Sequence, residues 1–288
     1  MLLEDFLRDI YVPLKGICAQ TELLYKMTIA EFGKSLGKDP ELADLEELKV
    51  AKFLAKRVRE RKPATAAKDR SQIRALWELA ARRRMVNEWP TISRIRVPER
   101  VPEAWLTGEM ESLLVSASLE TSRYVGIPAA LWWRAILLVC YDTGERIGSV
   151  VSARWRDVRG GSILFVAENR KGKRRDILRA LKPETLAALQ VIRFDREPGD
   201  LVFPWPRSRG YLWRRLEIIL KRAGLPHDRS CKFHKIRRTT ASYSAAAGLS
   251  AQEILDHSDP KVTRRYIDPR IVTQPTAADV IPPLREPA

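Results

Sequence analysis

Pro90, Pro98 and Pro102 crowd one short stretch of the chain, with Arg94, Arg96 and Arg100 between them. Proline fixes φ, lacks a backbone donor and pushes the preceding residue toward extended backbone, so neither a helix nor an internal strand runs through such a segment. The chain is therefore expected to fold in two blocks. Residues 90–102 read as a basic, extended linker. A first domain is expected at 1–89 and a second at 103–271. A tail at 272–288 is broken by Pro275, Pro282, Pro283 and Pro287.

The first block is helical in pattern. Residues 22–36 carry apolar side chains at helical intervals and then meet Gly37; residues 46–59 repeat this with Val50, Phe53, Leu54 and Val58 before Pro63. Residues 64–86 are the clearest helix, since Ile73, Leu76, Trp77 and Ala80 keep the i, i+3, i+4, i+7 spacing of one buried face. The other faces carry Lys68, Arg70, Arg74, Arg82, Arg83 and Arg84.

In the second block Thr107 stands as an N-cap ahead of the stripe Met110, Leu113 and Leu114. The near-unbroken apolar run 131–140 has the length of a buried helix. Residues 162–167 and 176–181 are rich in strand formers and flank a basic, glycine-bearing turn, which predicts an antiparallel hairpin. Helices are expected again at 184–193, 211–223, 232–247 and 251–255, with a turn near Thr263 and a short segment near 277–281. No internal repeat or low-complexity segment is visible. The expected fold class is mainly α with a small antiparallel β-sheet, in two domains.

Charge narrows the partners. Lys and Arg number 52 against 36 Asp and Glu, a net +16 with a pI near 10. An excess of this size points first to nucleic acid and only second to an anionic membrane surface. No apolar run reaches spanning length. The first residues lack the basic start and apolar stretch of a signal peptide. Cys18, Cys140 and Cys231 are scattered and odd in number, which argues against a zinc site or disulfide framework and for reduced thiols in the cytoplasm. Lys68, Arg70 and Arg74 on the helix and Arg94 and Arg96 on the linker are the candidate phosphate contacts.

The chemistry lies in an ordered set. The chain has three histidines, and two of them, His234 and His257, fall in one pattern with Arg146, Arg237 and Tyr266. His234 and Arg237 are three apart, so on a helix they share a face. Arg146 follows the apolar run, where a guanidinium turned inward needs an anion. Tyr266 lies nine residues beyond His257. Singly, each has an ordinary reading: an arginine paired with Glu145 or Asp157, a basic surface helix, a histidine at a helix C-terminus, a packing tyrosine. Together they are what a metal-free attack on a phosphodiester needs: cations for the phosphate, imidazoles for protons, a phenol as nucleophile. No carboxylate cluster suited to a two-metal nuclease is apparent.

Three blocks carry a resemblance: Asp142-Thr-Gly-Glu-Arg-Ile-Gly-Ser-Val, Phe233-His-Lys-Ile-Arg-Arg-Thr, and Leu255-Asp-His-Ser-Asp-Pro-Lys-Val-Thr-Arg-Arg-Tyr. In them the chain, roughly over 102–271, resembles the tyrosine recombinases or phage integrases; the first hundred residues resemble that family's core-binding domain more weakly. The resemblance implies a C-shaped DNA clamp that works without metal, cofactor or ATP. Tyr266 would form a 3′-phosphotyrosyl link, Arg146 and Arg237 would clamp the phosphate, His234 would handle the nucleophile's proton, and His257 would bond a phosphate oxygen. A lysine in the hairpin turn would protonate the leaving 5′-oxygen: Lys171, with Lys173 as the alternative. The implied partners are double-stranded DNA, three further copies in a homo-tetramer on two sites, and accessory proteins that set direction, with no membrane.

No arm-binding domain is apparent ahead of the core-binding region, which suits a simple integrase or a resolving recombinase. The tail, with Val280 and Ile281, would pack onto a neighbouring subunit. Two positions depart from the family: Ser149 stands where Glu or Asp is usual, and Asp256 where Gly is common. Ser149 keeps open a non-cleaving DNA-binding protein on the same fold. A type IB topoisomerase shares the chemistry but fits the two-domain layout less well.

Overall fold

The computed structural model describes residues 1–170, 172, 175–273 and 277–282. The chain divides into two compact units, Met1–Arg100 and Val101–Ala288.

The first unit is helical. A short N-terminal run, α1 (Leu3–Phe6), a π-helical turn (Leu7–Tyr11) and α2 (Val12–Lys15), leads to α3 (Ala19–Leu36), α4 (Glu47–Glu60) and α5 (Pro63–Arg82). Gly37 ends α3 at φ +75°, a left-handed cap that a residue with a Cβ adopts only with strain. The predicted stripe on α5 is the buried one: Ile73, Leu76, Trp77 and Ala80 pack with Phe32, Phe53 and Leu3. The helix stops short of the predicted residue 86, at Arg82. The proline-bearing stretch is only partly a free linker. Ile92 lies in the core of the first unit, Trp77 Nε1 donates to the Glu88 carbonyl, and Arg70 donates to the carbonyls of Ile92 and Ser93, both at 2.6 Å.

The second unit is mainly helical with two small antiparallel sheets. Its elements are α6 (Thr107–Ser118), β1 (Arg123–Tyr124), β2 (Ile127–Pro128), α7 (Ala129–Thr143), α8 (Ile147–Val150), β3 (Val158–Arg159), β4 (Ser162–Phe165), β5 (Ile177–Ala180), α9 (Pro183–Arg193), α10 (Arg209–Arg222), α11 (Phe233–Ala246), α12 (Ala251–Leu255), α13 (Pro260–Arg264) and α14 (Ala277–Val280). The apolar run 131–140 becomes α7, buried by α6, α9 and α11 and holding Trp132, Trp133, Ile136, Leu137 and Val139 in the core. Strand β4 pairs with β3 and β5, and Ile163 sits opposite Arg179. The β1–β2 hairpin has no counterpart among the expected elements.

Thr107 is corrected from cap to first helical residue. The Glu109 carboxylate accepts from the Leu106 N–H at 2.7 Å, while the Thr107 hydroxyl meets Tyr243 Oη at 3.0 Å. No helix among the described residues is long and apolar enough to cross a membrane.

Candidate active site

The site is built at the N-terminus of α11. Phe233 anchors that end, stacked on Trp133 and edge-on to Trp213. Ile236 faces the core, which leaves His234 and Arg237 to share the next face. His234 is exposed, and its Nε2 lies 2.8 Å from Tyr266 Oη. Arg237 is 1% exposed and donates to the carbonyls of Gly144 and Leu255. The glycine at 144 has its own reason: it ends α7 at φ +61°, and a Cβ there would press within 3.2 Å of Thr240 on α11.

His257 completes the pocket. It is 9% exposed, its Nε2 lies 3.3 Å from Arg237 Nη2, and its Nδ1 lies 3.1 Å from Thr263 Oγ1. A guanidinium only donates, so Nε2 is the acceptor and the ring proton is on Nδ1, directed at Thr263. Burial first, then the charges of Arg237 and Arg146, holds this imidazole down to about 4, so it is neutral at pH 7. Burial, then Arg146, brings Arg237 down to about 10, which leaves it cationic at pH 7. Arg237 Nε is buried without a hydrogen-bond partner among the described residues. Arg146 caps α8 and is half-buried. Of its two expected carboxylate partners, Glu145 pairs instead with Arg170 and Asp157 accepts from the Arg154 N–H.

Tyr266 is held in its own chain's pocket. Its N–H donates to the Thr263 carbonyl at 2.8 Å, its carbonyl accepts from Ser242 Oγ at 3.1 Å, and its ring lies 4.9 Å from that of His257. Two residues on, fully buried Asp268 accepts from the Ala104 N–H at 2.7 Å and pairs with Arg270. Arg237, His257, His234 and Tyr266, from three segments of the chain, thus converge on one phenol.

The remaining candidates divide. Lys171 and its alternative Lys173 lie outside the described residues. Lys68 pairs with Asp69 at 3.0 Å and Arg74 with Glu78 at 2.8 Å. Arg70 has a different role from the one expected: buried, with its donors on Ile92 and Ser93, it fixes a backbone segment and is not a free cation. Arg94 and Arg96 are exposed. Sequence pattern alone does not mark Thr263, Asp268 or Arg170 as part of the site, and it shows Asp256 only as a departure from the usual glycine.

Comparison with known proteins agrees with this geometry. Residues 105–271 match the model of the phage integrase family. Tyrosine recombinase XerD of Yersinia pestis is 25% identical over 92% of this chain and 91% of its own length. The Tn1549 transposon integrase in complex with transposon right-end DNA superposes with a TM-score of 0.74 at 12% identity, over 97% of each chain. A lambda integrase tetramer bound to a Holliday junction gives 0.68 at 20% identity, over 89% of this chain and 76% of that one. The family match covers more than half of the sequence, and the chain belongs to the phage integrase family of tyrosine site-specific recombinases.

Proposed function

We propose that this chain cuts and rejoins DNA at specific sites through a 3′-phosphotyrosyl intermediate, without metal or ATP. The observation that carries the reading is the Tyr266 phenol, 2.8 Å from His234 Nε2 and beside the buried Arg237–His257 pair. Tyr266 Oη bonds to the scissile phosphorus as its proton passes to His234. The bond from phosphorus to the 5′-oxygen breaks, and that oxygen takes a proton from Lys171, or from Lys173 in its place. Arg146 and Arg237 hold the non-bridging oxygens, and Arg237 Nε, without a hydrogen-bond partner among the described residues, suits such an anion. His257 first serves as the acceptor that orients Arg237; it reaches a phosphate oxygen as a donor only once Nε2 carries a proton. The phosphotyrosyl ester keeps the energy of the broken bond, so religation by a 5′-hydroxyl needs no external source.

The working form on this reading is a homo-tetramer on two duplex sites, in keeping with the lambda integrase tetramer bound to a Holliday junction. It acts in the cytoplasm on nucleoid DNA, with a helical DNA-binding domain at 1–89, a linker at 90–102, a catalytic domain at 103–271 and a tail at 272–288, of which 274–276 and 283–288 lie outside the described residues and the exposed Val280–Ile281 pair would meet a neighbouring subunit. Lys68, Arg74, Arg94 and Arg96 are its proposed backbone contacts. Accessory proteins would set direction.

The test begins by selecting genomic fragments that the Tyr266→Phe protein retains, then placing a nick beside the cleavage point so that religation is lost. The wild-type chain should accumulate a covalent protein–DNA adduct and Tyr266→Phe none. Retained fragments with no adduct from the wild type would instead establish a non-cleaving binding protein.

A further inference from the structure

Arg237 is not the only guanidinium that ties the 144–146 turn to the 255–257 turn. Arg170, which ends the turn after β4, is 4% exposed and spans the same two segments one residue further along each. Its Nη2 lies 3.1 Å from Glu145 Oε1 and its Nη1 lies 2.9 Å from Asp256 Oδ2. Arg237 grips the backbone carbonyls at 144 and 255; Arg170 grips the side chains at 145 and 256. Glu145 is 3% exposed, and its other oxygen accepts from the Arg146 N–H at 3.3 Å. Each carboxylate is therefore bonded next door to a proposed catalytic side chain, Glu145 beside Arg146 and Asp256 beside His257.

Two features argue that this link is more than incidental packing. Asp256 sits at φ +50°, a left-handed conformation that favours glycine, yet its carboxylate holds both Arg170 and Arg175, the latter at 2.7 Å. Glycine would relieve that strain and lose both contacts. A buried ion chain is also weak evidence of stability alone, because well-packed apolar residues commonly do as well. Ser149 Oγ, at the usual acidic position of the family, donates to the Asn169 carbonyl at 3.4 Å and to no carboxylate among the described residues.

Resting on the proposed cleavage reaction, we infer that the Glu145–Arg170–Asp256 chain is a positioning device. It sets Arg146 and His257 relative to each other, and keeps them set when the scissile phosphate takes up Arg237. These are positioning residues; none touches the reacting atoms.

The experiment measures single-turnover adduct formation on the nicked substrate at saturating protein, together with DNA affinity and Tm, for Asp256→Gly, Glu145→Gln and the double variant. Misplacing reacting groups by an ångström costs up to roughly a hundredfold in rate. Each single variant should form adduct about ten- to a hundredfold more slowly, with affinity unchanged. Asp256→Gly relieves backbone strain but removes one of the two carboxylates on buried Arg170, so its Tm should fall less than that of Glu145→Gln, while its rate falls at least as far. Because the two carboxylates share Arg170, the double variant should be little slower than the worse single one. Wild-type saturating rates in both single variants would overturn the inference, as would losses that track Tm or appear only in affinity. A wild-type chain that forms no adduct would instead sink the cleavage reading itself, so the two failures are distinguishable.

Discussion

Arg57 in the first unit and Arg237 in the second are both buried guanidinia, at 7% and 1% exposure, and they keep opposite company. Arg57 bonds Asp69 at 2.8 Å and Glu31 at 2.6 Å, so its charge is met on two sides by carboxylates. Thr28 donates to the same Asp69. Arg237 bonds two carbonyls and a neutral imidazole; the charges acting on it are Arg146 and, less strongly, Glu145, whose carboxylate is bonded to Arg170 instead, and its Nε meets no hydrogen-bond partner among the described residues. The first is a closed ion network that ends in the fold. The second is a desolvated cation held by dipoles beside another cation, which is the company that the proposed phosphate would answer. Burial alone separates structural from functional arginines poorly; the charge of the neighbours does so better.

Mutation should split the pair. Arg57→Met takes the guanidinium from Asp69, 1% exposed, and leaves it only Thr28 and Lys68 among its described partners. Breaking a buried pair from one side costs at most about 3–5 kcal/mol where, as here, part of the company remains. Chemical denaturation of the full chain should register that loss, while the saturating cleavage rate of the folded fraction holds. Arg237→Gln should do the reverse. Loss of one donor to a developing oxyanion costs about 10²–10³ in rate, or about 2.7–4 kcal/mol of barrier. Its stability should fall less than that of Arg57→Met, since no carboxylate is stranded and a cation beside Arg146 is gone. Equal losses of stability in both variants would erase the distinction between the two arginines.

A direct probe of the Arg237 surroundings is inorganic phosphate. At ten times its Kd a ligand specific to the folded state adds about 1.4 kcal/mol of stability. Phosphate should raise Tm in the wild type by more than in Arg237→Gln. Comparing the two removes the general stabilisation that such salts give any protein. Identical shifts would mean that the pocket does not select an anion.

How much of this is legible in the sequence follows the range of each interaction. The apolar run that becomes α7 and the stripe on α5 are local patterns, and both are readable before folding. Arg146, His234, Arg237, His257 and Tyr266 stand out in the sequence because few residue types suit the proposed phosphate chemistry and their order is restrictive; the structure brings His234, Arg237, His257 and Tyr266 together. The β1–β2 hairpin escapes notice because its turn is Val125-Gly126, with Val125 at φ +47°. A β-branched residue does not announce a left-handed turn in the way that Asn-Gly does. The Arg170 bridge is hidden because its partners lie 25 and 86 residues away along the chain. Arg70 misleads for a related reason: a basic residue on a helix reads as solvated until the segment folded over it is known.

The last effect expected is in acid, and it returns to the question of company. His257 is held down to about 4 in the folded chain, first by burial and then by the charges of Arg237 and Arg146. An unfolded histidine titrates near 6.5. Between those values the unfolded chain binds the extra proton and the folded one does not, so stability rises with pH across the window. The contribution is therefore whole above about pH 6.5 and is lost as pH falls toward 4. His257→Gln has no proton to bind, and its Tm should depend less on pH than the wild type over that range. Asp256 and Asp268 are held below the usual carboxylate range by arginine partners, so their own losses come at lower pH and leave the window mostly to the imidazole. Parallel Tm profiles for wild type and His257→Gln would show that Arg237 and Arg146 do not press on His257, and with that the crowding of cations that sets this pocket apart from the Arg57 network would be gone.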